Sequence, residues 1–332
     1  MDSVFARSIR KALSVQKAVL AIVLVVLAMA LVNLNPFVDT KNQFFTGYNF
    51  LDLLNSNAVY LILAMGETIV LIGFGVDLSI GGVMAVSGII AIMLVNAGIP
   101  IPGAVAICLL FGAVVGVING YISVYQRIEP FIVTLGMGIL LAGVGQQLTD
   151  ARPVSCLDDN FVSLANFSIL GFLPTEVVVM VAVVAIVYWL LRSTSFGRNV
   201  YALGGDYEVA KYSGINVMRT KALTYVISGV IAAFGGVMLS SHLNAGNYIF
   251  GDLTALYVVC AVVVGGTSVA GGIGGAMKSV IGVVLLGILG NAFNMLRIDS
   301  LFLYLSQGLL GSIIVFILWL DSYGRKRRRE AV

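Results

Sequence analysis

The chain has 332 residues, of which 59% are hydrophobic and only 11% charged, with a formal net charge of +3. Soluble domains carry about 25% charged residues, so this balance excludes an ordinary soluble domain, and the absence of short alternating segments argues against a membrane β-barrel. Three scattered cysteines and a single histidine suggest neither a disulfide framework nor a metal cluster.

A basic N-terminus precedes an apolar run at 18–34. The run is longer than a signal-peptide core and no A-x-A site follows it, so it reads as the first membrane span. Further runs near the roughly 20-residue length of a spanning helix lie at 57–74, 78–96, 101–124, 131–148, 175–191, 222–241, 253–270, 276–295 and 301–320. The expected architecture is all-α: a polytopic bundle of about ten spans forming one transmembrane domain over 1–332. An even count puts both termini on one side. With the termini inside, sixteen of the nineteen basic residues share that face, among them Arg7, Lys17, Arg127, Arg192, Arg198, Lys211, Lys278 and the 325–329 run. Only Lys41, Arg152 and Arg297 fall on the other. The positive-inside rule therefore makes the termini cytoplasmic. The terminal "RKRRR" reads as a juxtamembrane patch facing anionic lipid rather than as a nucleic-acid site.

Glu67 falls inside the second run. An acid at membrane depth is a functional hypothesis by default; the competing reading is a hydrogen bond that pins a neighbouring helix. "GVDLSIGG" at 75–82 places Asp77 and Ser79 between two spans, where Asp77 suits an N-cap and the glycines permit a sharp break. Irregular backbone in lipid survives only inside protein or beside water, so the break either lines the solute path or merely caps the next helix. A second Asp-Leu-[Ser/Thr] occurs at Asp252-Leu253-Thr254, 175 residues on and five spans later. An odd separation turns the copy to the opposite face, as two inverted five-helix halves would; chance recurrence of three residues is the alternative. Asn119, Thr134, Gln147 and Asn244 supply further hydrogen-bonding groups, and with Glu67, Asp77, Ser79, Asp252 and Thr254 they form the expected substrate path. The 149–174 loop carries Asp150, Asp158 and Asp159; it is read as external and solvated.

The stretch at 192–221 is the longest internal loop, and it is not linker material. "DYEVAKYSG" predicts a short helix with Asp206 as N-cap, Glu208 in its first turn and Gly214 where a C-terminal cap belongs. Gly204-Gly205 before it allows a tight turn. A helix carried between two spans is a handle that a soluble partner can grip. "GGIGGAMKS" at 271–279 lacks the Gly-Lys-[Ser/Thr] of a phosphate loop, so the chain has no visible engine of its own.

"GRNVYALGGDYEVAKYSGINV" resembles the cytoplasmic coupling loop of permease subunits in the ribose-type, or branched-chain-type, ABC importer family. "GETIVLIGFGVDLSIGGVMA" at 66–85, "GVINGYISV" at 116–124, "EPFIVTLGM" at 129–137 and "AVVVGGTSVAGGIGG" at 261–275 resemble further blocks of that family, in order over about residues 50–320. The resemblance implies a bacterial inner-membrane subunit without catalytic residues, metal or cofactor of its own. It implies pairing with a second permease copy or sister chain, a cytoplasmic ATP-binding subunit that hydrolyses ATP, and an external binding protein delivering a pentose or hexose. Gly204, Gly205, Asp206, Glu208, Ala210, Ser213 and Gly214 would couple to the ATPase. The chain departs from the family pattern at "GDLTALY", 251–257, which keeps one acid where two are usual, and at Met277-Lys278, where Gly-Thr is usual. The competing function is an ion-coupled secondary transporter of a small polar solute, for which Glu67 is the coupling acid.

Overall fold

The computed structural model describes residues 46–169 and 171–295. Twelve α-helices run through them in chain order: α1 (Gly47–Ser56), α2 (Ala58–Ile72), α3 (Ile80–Asn96), α4 (Ile101–Gly120), α5 (Pro130–Leu148), α6 (Asp159–Asn166), α7 (Thr175–Ser193), α8 (Ser195–Gly205), α9 (Tyr207–Tyr212), α10 (Val217–Leu243), α11 (Thr254–Val264) and α12 (Ala276–Met295). Two residues each of β1 (Val154–Ser155), β2 (Ser168–Ile169), β3 (Leu173–Pro174) and β4 (Ala245–Gly246) form two antiparallel pairs, β1 with β4 and β2 with β3. The chain divides into two compact units, Asn55–Val283 and a smaller one made of Met1–Leu54 with Val284–Val332. In the smaller unit the side-chain amides of Asn49 and Asn291 bond each other reciprocally, at 3.2 and 3.0 Å.

Every apolar run within the described residues carries a helix. The runs at 18–34 and 301–320 lie outside them. Length, however, separates the helices into two groups. Four are long and apolar enough to cross a membrane: α4 with its continuation to Tyr125, α5, α7 and α10, or five if α1 and α2 together form one broken span. At 1.5 Å per residue, the 15 residues of α2 reach only about 22 Å and the 11 of α11 about 16 Å, short of a hydrocarbon core of about 30 Å. Thus the run at 253–270 is not one continuous helix. It ends at Val264 because Gly266 takes a left-handed φ of 105° and its amide turns back onto Val263 O.

The centre of the larger unit is α10, 27 residues and about 40 Å long. It packs against α2, α3 and α4. Lipid offers no hydrophobic drive to bring apolar helices together, so close backbone approach and dispersion must do it. The sequence provides that approach: a Cβ on Gly229 would fall on Gly112 O, and one on Gly112 would fall on Gly229 O. Farther along, a Cβ on Gly236 would fall on Met84 O.

Over one end of α10 lies an ordered cap built from the 149–174 segment, which the sequence reading takes for a solvated loop. Asp158 caps α6 by accepting from the amides of Asn160 and Phe161. Phe161, four residues before Ala165 on one helical face, is fully buried with Ile92, Cys108 and Val237. Ser241 Oγ donates to Phe161 O at 2.7 Å and accepts from the Ala165 amide at 3.0 Å. His242 Nδ1 sits 2.8 Å from Glu176 Oε2, tying α10 to the start of α7.

Candidate functional site

Two features stand out, a buried polar cluster at the 73–79 break and the element formed by α8 and α9.

The break follows α2. Its first residues fold back: the Phe74 amide donates to Leu71 O and the Gly75 amide to Val70 O. Phe74 is left with φ of 59°, a conformation that costs a non-glycine residue of order 1–3 kcal/mol and persists only where its surroundings hold it. Lys221 lies 5.3 Å over the Phe74 ring. Asp77 then forms the hub. Its Oδ1 accepts from the Ser79 amide at 3.0 Å and the Ser79 hydroxyl at 2.6 Å, and its Oδ2 accepts from Ser228 Oγ of α10 at 2.9 Å. Asn119 Nδ2 of α4 donates to Ser79 Oγ at 2.8 Å. Glu67 Oε1 of α2 accepts from the Asp77 amide at 3.3 Å. Thr134 Oγ1 of α5 lies 3.3 Å from Val76 O and 2.9 Å from Pro130 O.

Five of the nine residues expected along the substrate path thus meet in one place, contributed by three helices and the break, with Ser228 of α10 joining them. All five are at most 1% exposed, so in this conformation no solute reaches them. The arrangement is a pin: it satisfies the acids and fixes the irregular backbone where α2, α4, α5 and α10 converge. Glu67 Oε2 and Asn119 Oδ1 retain no hydrogen-bond partner among the described residues. The N-cap position of α3 is Ser79 rather than Asp77; Asp77 stands two residues ahead and holds the Ser79 amide instead. Ser228 was not singled out from the sequence, although a serine amid the apolar 222–241 run is the signal that marks it.

The other four expected path residues lie elsewhere. Gln147 is exposed on α5 and Asn244 is the left-handed C-cap of α10. Asp252 is exposed, while Thr254 Oγ1 donates to Phe250 O at 2.8 Å. At the second Asp-Leu-Thr the N-cap position belongs to Leu253, with φ of 59°. The two breaks nevertheless meet: Gly81, at the start of α3, packs so tightly on Gly251 that a Cβ on Gly251 would stand 2.6 Å from Gly81 O.

Removing the hub tests the pin. Asp77→Ala strands two buried hydroxyls and an amide, and is expected to cost about 3 kcal/mol, whereas Asp77→Asn keeps an acceptor for Ser79 and should cost about 1 kcal/mol. Thermal inactivation in detergent checks the ranking, and equal losses for the two variants would refute it.

At the second feature, Thr194 caps α8 through the Gly197 amide at 3.1 Å. Asp206 caps α9 through the Val209 amide at 3.0 Å. The Ser213 amide returns to Val209 O and the Ile215 amide to Ala210 O, with Gly214 at φ of 81°. The expected short helix and both its caps are therefore present. One face of α9 is anchored: Ala210, 2% exposed, packs with Leu203 and Val217. The other face is bare, with Tyr207, Val209 and Tyr212 at 45, 61 and 83% exposure. Asp206, Glu208, Ser213 and Gly214 are exposed beside them. Among the residues expected to couple, Ala210 and Gly204 are thus turned inward as a seat, while Tyr207, Val209 and Tyr212, which sequence reading does not single out, are exposed on the opposite face.

That seat is rigid. Gly204 leaves no room for a side chain: a Cβ there would fall on Ile72 O and stand 2.5 Å from the Gly272 amide nitrogen. The same Gly272 amide donates to Ile72 O at 2.9 Å. Gly271 and Gly272 take φ of 79° and 69°, so the glycine-rich loop is a joint that lets three backbones touch. Tyr201 Oη donates to Gly274 O at 3.2 Å, and burial pushes its phenol above the usual range. Ser279 Oγ, beyond the loop, lies 2.6 Å from Thr68 Oγ1 of α2. Among the described residues no group of three or more His, Cys, Asp or Glu side chains could hold a metal ion.

The family described as branched-chain amino acid transport system / permease component matches residues 49–318. A ribose import permease protein of Haemophilus influenzae is 34% identical over 316 residues, 94% of each chain. A ribose import permease protein of Escherichia coli K12 is 36% identical over 277 residues, 82% of this chain and 86% of its own. A D-allose transport system permease protein of the same organism is 31% identical over 283 residues, 85% and 86% of the two chains. No solved structure gives a significant match.

Proposed function

Because this chain belongs to the family of branched-chain amino acid transport system permease components, we propose that it is the membrane-spanning subunit of an ATP-driven importer for a monosaccharide of the pentose or hexose class. The relatives named above import ribose or transport allose, which supports a sugar as solute. The chain performs no covalent chemistry in this reading. A cytoplasmic ATP-binding subunit grips α9, an external binding protein delivers the sugar, and a second permease copy or sister chain completes the pore. In this reading both termini face the cytoplasm of a bacterium, which the Lys/Arg bias of the sequence supports.

One observation supports the mechanism above the rest. The exposed face of α9 stands on a seat whose base, Gly204, touches both Ile72 at the end of α2 and Gly272 of the glycine-rich loop. Force applied to α9 reaches the 73–79 break within a few residues. There the buried Asp77 hub joins α2, α4 and α10, so a push on the handle reorients helices as a unit rather than bending one. Alternating access follows if the two arrangements of these helices open to opposite faces.

The ion-coupled reading is the weaker one, because the relatives are sugar import or transport permeases and Glu67, its candidate acid, is 0% exposed with Oε1 accepting from the Asp77 amide. Reconstitution decides between them. Liposomes holding the chain with its ATP-binding subunit and binding protein should accumulate labelled ribose, allose or galactose only when ATP is enclosed. Uptake by the chain alone, driven by an ion gradient without ATP, would overturn the proposal.

A further inference from the structure

Where α7 ends, α8 begins and the glycine-rich loop turns into α12, the larger unit carries an open cavity of about 560 Å³. Three cations line it, Arg192, Arg198 and Lys278, and among the described residues no carboxylate does. Tyr188 and Tyr201 stand between them. Arg192 is the more oriented of the two arginines: its guanidinium donates to Tyr188 Oη and lies 5.5 Å over that ring. Tyr201 is held by its bond to Gly274 O. The rest of the lining is apolar, including Leu191 and Met277. All three cations are exposed, so an anion settling among them would meet three positive charges with no carboxylate in the lining to oppose it, and the first turn of α12 adds amide dipoles of the same sign.

The surroundings say what kind of anion. Arg192 lies in the last turn of α7, a helix long and apolar enough to span. One turn or so earlier, Ile186 and Trp189 are 62% and 60% exposed. Exposed tryptophan at the end of an apolar helix belongs at the level of lipid headgroups. The cavity therefore opens beside an apolar, outward-facing stripe that suits acyl chains. Its exposed cationic rim suits a phosphate.

We propose that this cavity holds the phosphate of an anionic phospholipid, gripped by Arg198 and Lys278, with its chains along Ile186 and Trp189. Its place gives it consequence. Arg198 and Tyr201 belong to α8 and Gly274 to Lys278 to the loop and helix that α8 rests on, so the lipid bridges the two sides of the coupling seat. The site requires only that the chain lie in a bilayer, and it stands whether or not the solute is a sugar.

Native mass spectrometry of the full chain, purified from membranes with whatever subunits accompany it, reads the site directly. Phosphatidylglycerol should be retained in preference to phosphatidylcholine. The Arg198→Gln/Lys278→Gln double variant should lose that preference by about 25-fold, roughly fivefold for each cation removed from an anionic headgroup. The charge-keeping Arg198→Lys/Lys278→Arg variant should retain it, which separates lost binding from a failure to fold. Equal phosphatidylglycerol retention by wild type and the double variant would overturn the proposal. So would inorganic phosphate binding that the double variant abolishes, with no preference between the two lipids, since that outcome assigns the cavity to a free anion.

Discussion

A Gly204→Val chain is expected to reach the membrane and assemble, yet import roughly 5- to 150-fold less solute than the wild type. The reasoning is steric. A Cβ at this position lands on Ile72 O and close to the Gly272 nitrogen, and both are backbone atoms that cannot swing aside. Forcing a branched side chain into a closed contact costs about 1–3 kcal/mol, and each 1.36 kcal/mol lost from a coupled step is about tenfold in rate. The cost is local, because α8 can lift from the end of α2 while its own hydrogen bonds and the small core around Leu203 and Val217 remain. Lifting breaks the contact through which a push on α9 would reach the break. The variant should therefore hydrolyse ATP in complex with its partner while moving nothing. Gly143→Ala is the control: a Cβ there meets nothing within 4 Å, and alanine favours the helix by about 1 kcal/mol. Uptake and ATPase rates measured in the same liposomes check the result, and a Gly204→Val chain that imports normally would show that the seat transmits nothing.

Much of this arrangement was legible because lipid simplifies the code. Each apolar run in the described residues became a helix, and the caps of α9 were readable from Asp206 and Gly214 because capping is chemistry between residues close in sequence. What escaped depends on partners far along the chain. Ser228 meets Asp77 across 151 positions, and a serine in an apolar run does not announce which acid it will face. The division of 253–270 into a short helix and a loop escaped because hydropathy does not register a backbone turn at Gly266. The cap around Phe161 was hidden by its acids: Asp158 reads as solvated until its role as an N-cap places Phe161 and Ala165 on one inward face. The outward face of α9 was missed for the opposite reason. Ala210, small and central, looked like the contact, whereas the aromatic residues that look like core stand outside it.

The same close-approach physics gives the second large effect. Gly229→Leu is expected to prevent the larger unit from forming, so that little protein accumulates in the membrane and what does is degraded. At this crossing α10 and α4 meet backbone to backbone, each glycine standing against the carbonyl of the other. A soluble protein could relax by sliding a helix and exposing the misfit to water. Here α10 is held simultaneously by Gly236 against Met84, by Ser228 against Asp77 and by Ser241 against the cap, so a shift at one crossing breaks the others. The loss should exceed the 1–3 kcal/mol of ordinary overpacking, because several registered contacts fail together. Gly229→Ala should fall between, since one methyl still meets Gly112 O. Paired replacement offers no rescue, because the obstacle at each position is the partner's backbone and not a side chain that can be trimmed. Quantifying membrane-inserted chain by immunoblot, with detergent-resistant folding followed by size-exclusion chromatography, checks this order. Wild-type yield and elution for Gly229→Leu would mean that α10 does not pack on α4 through this pair.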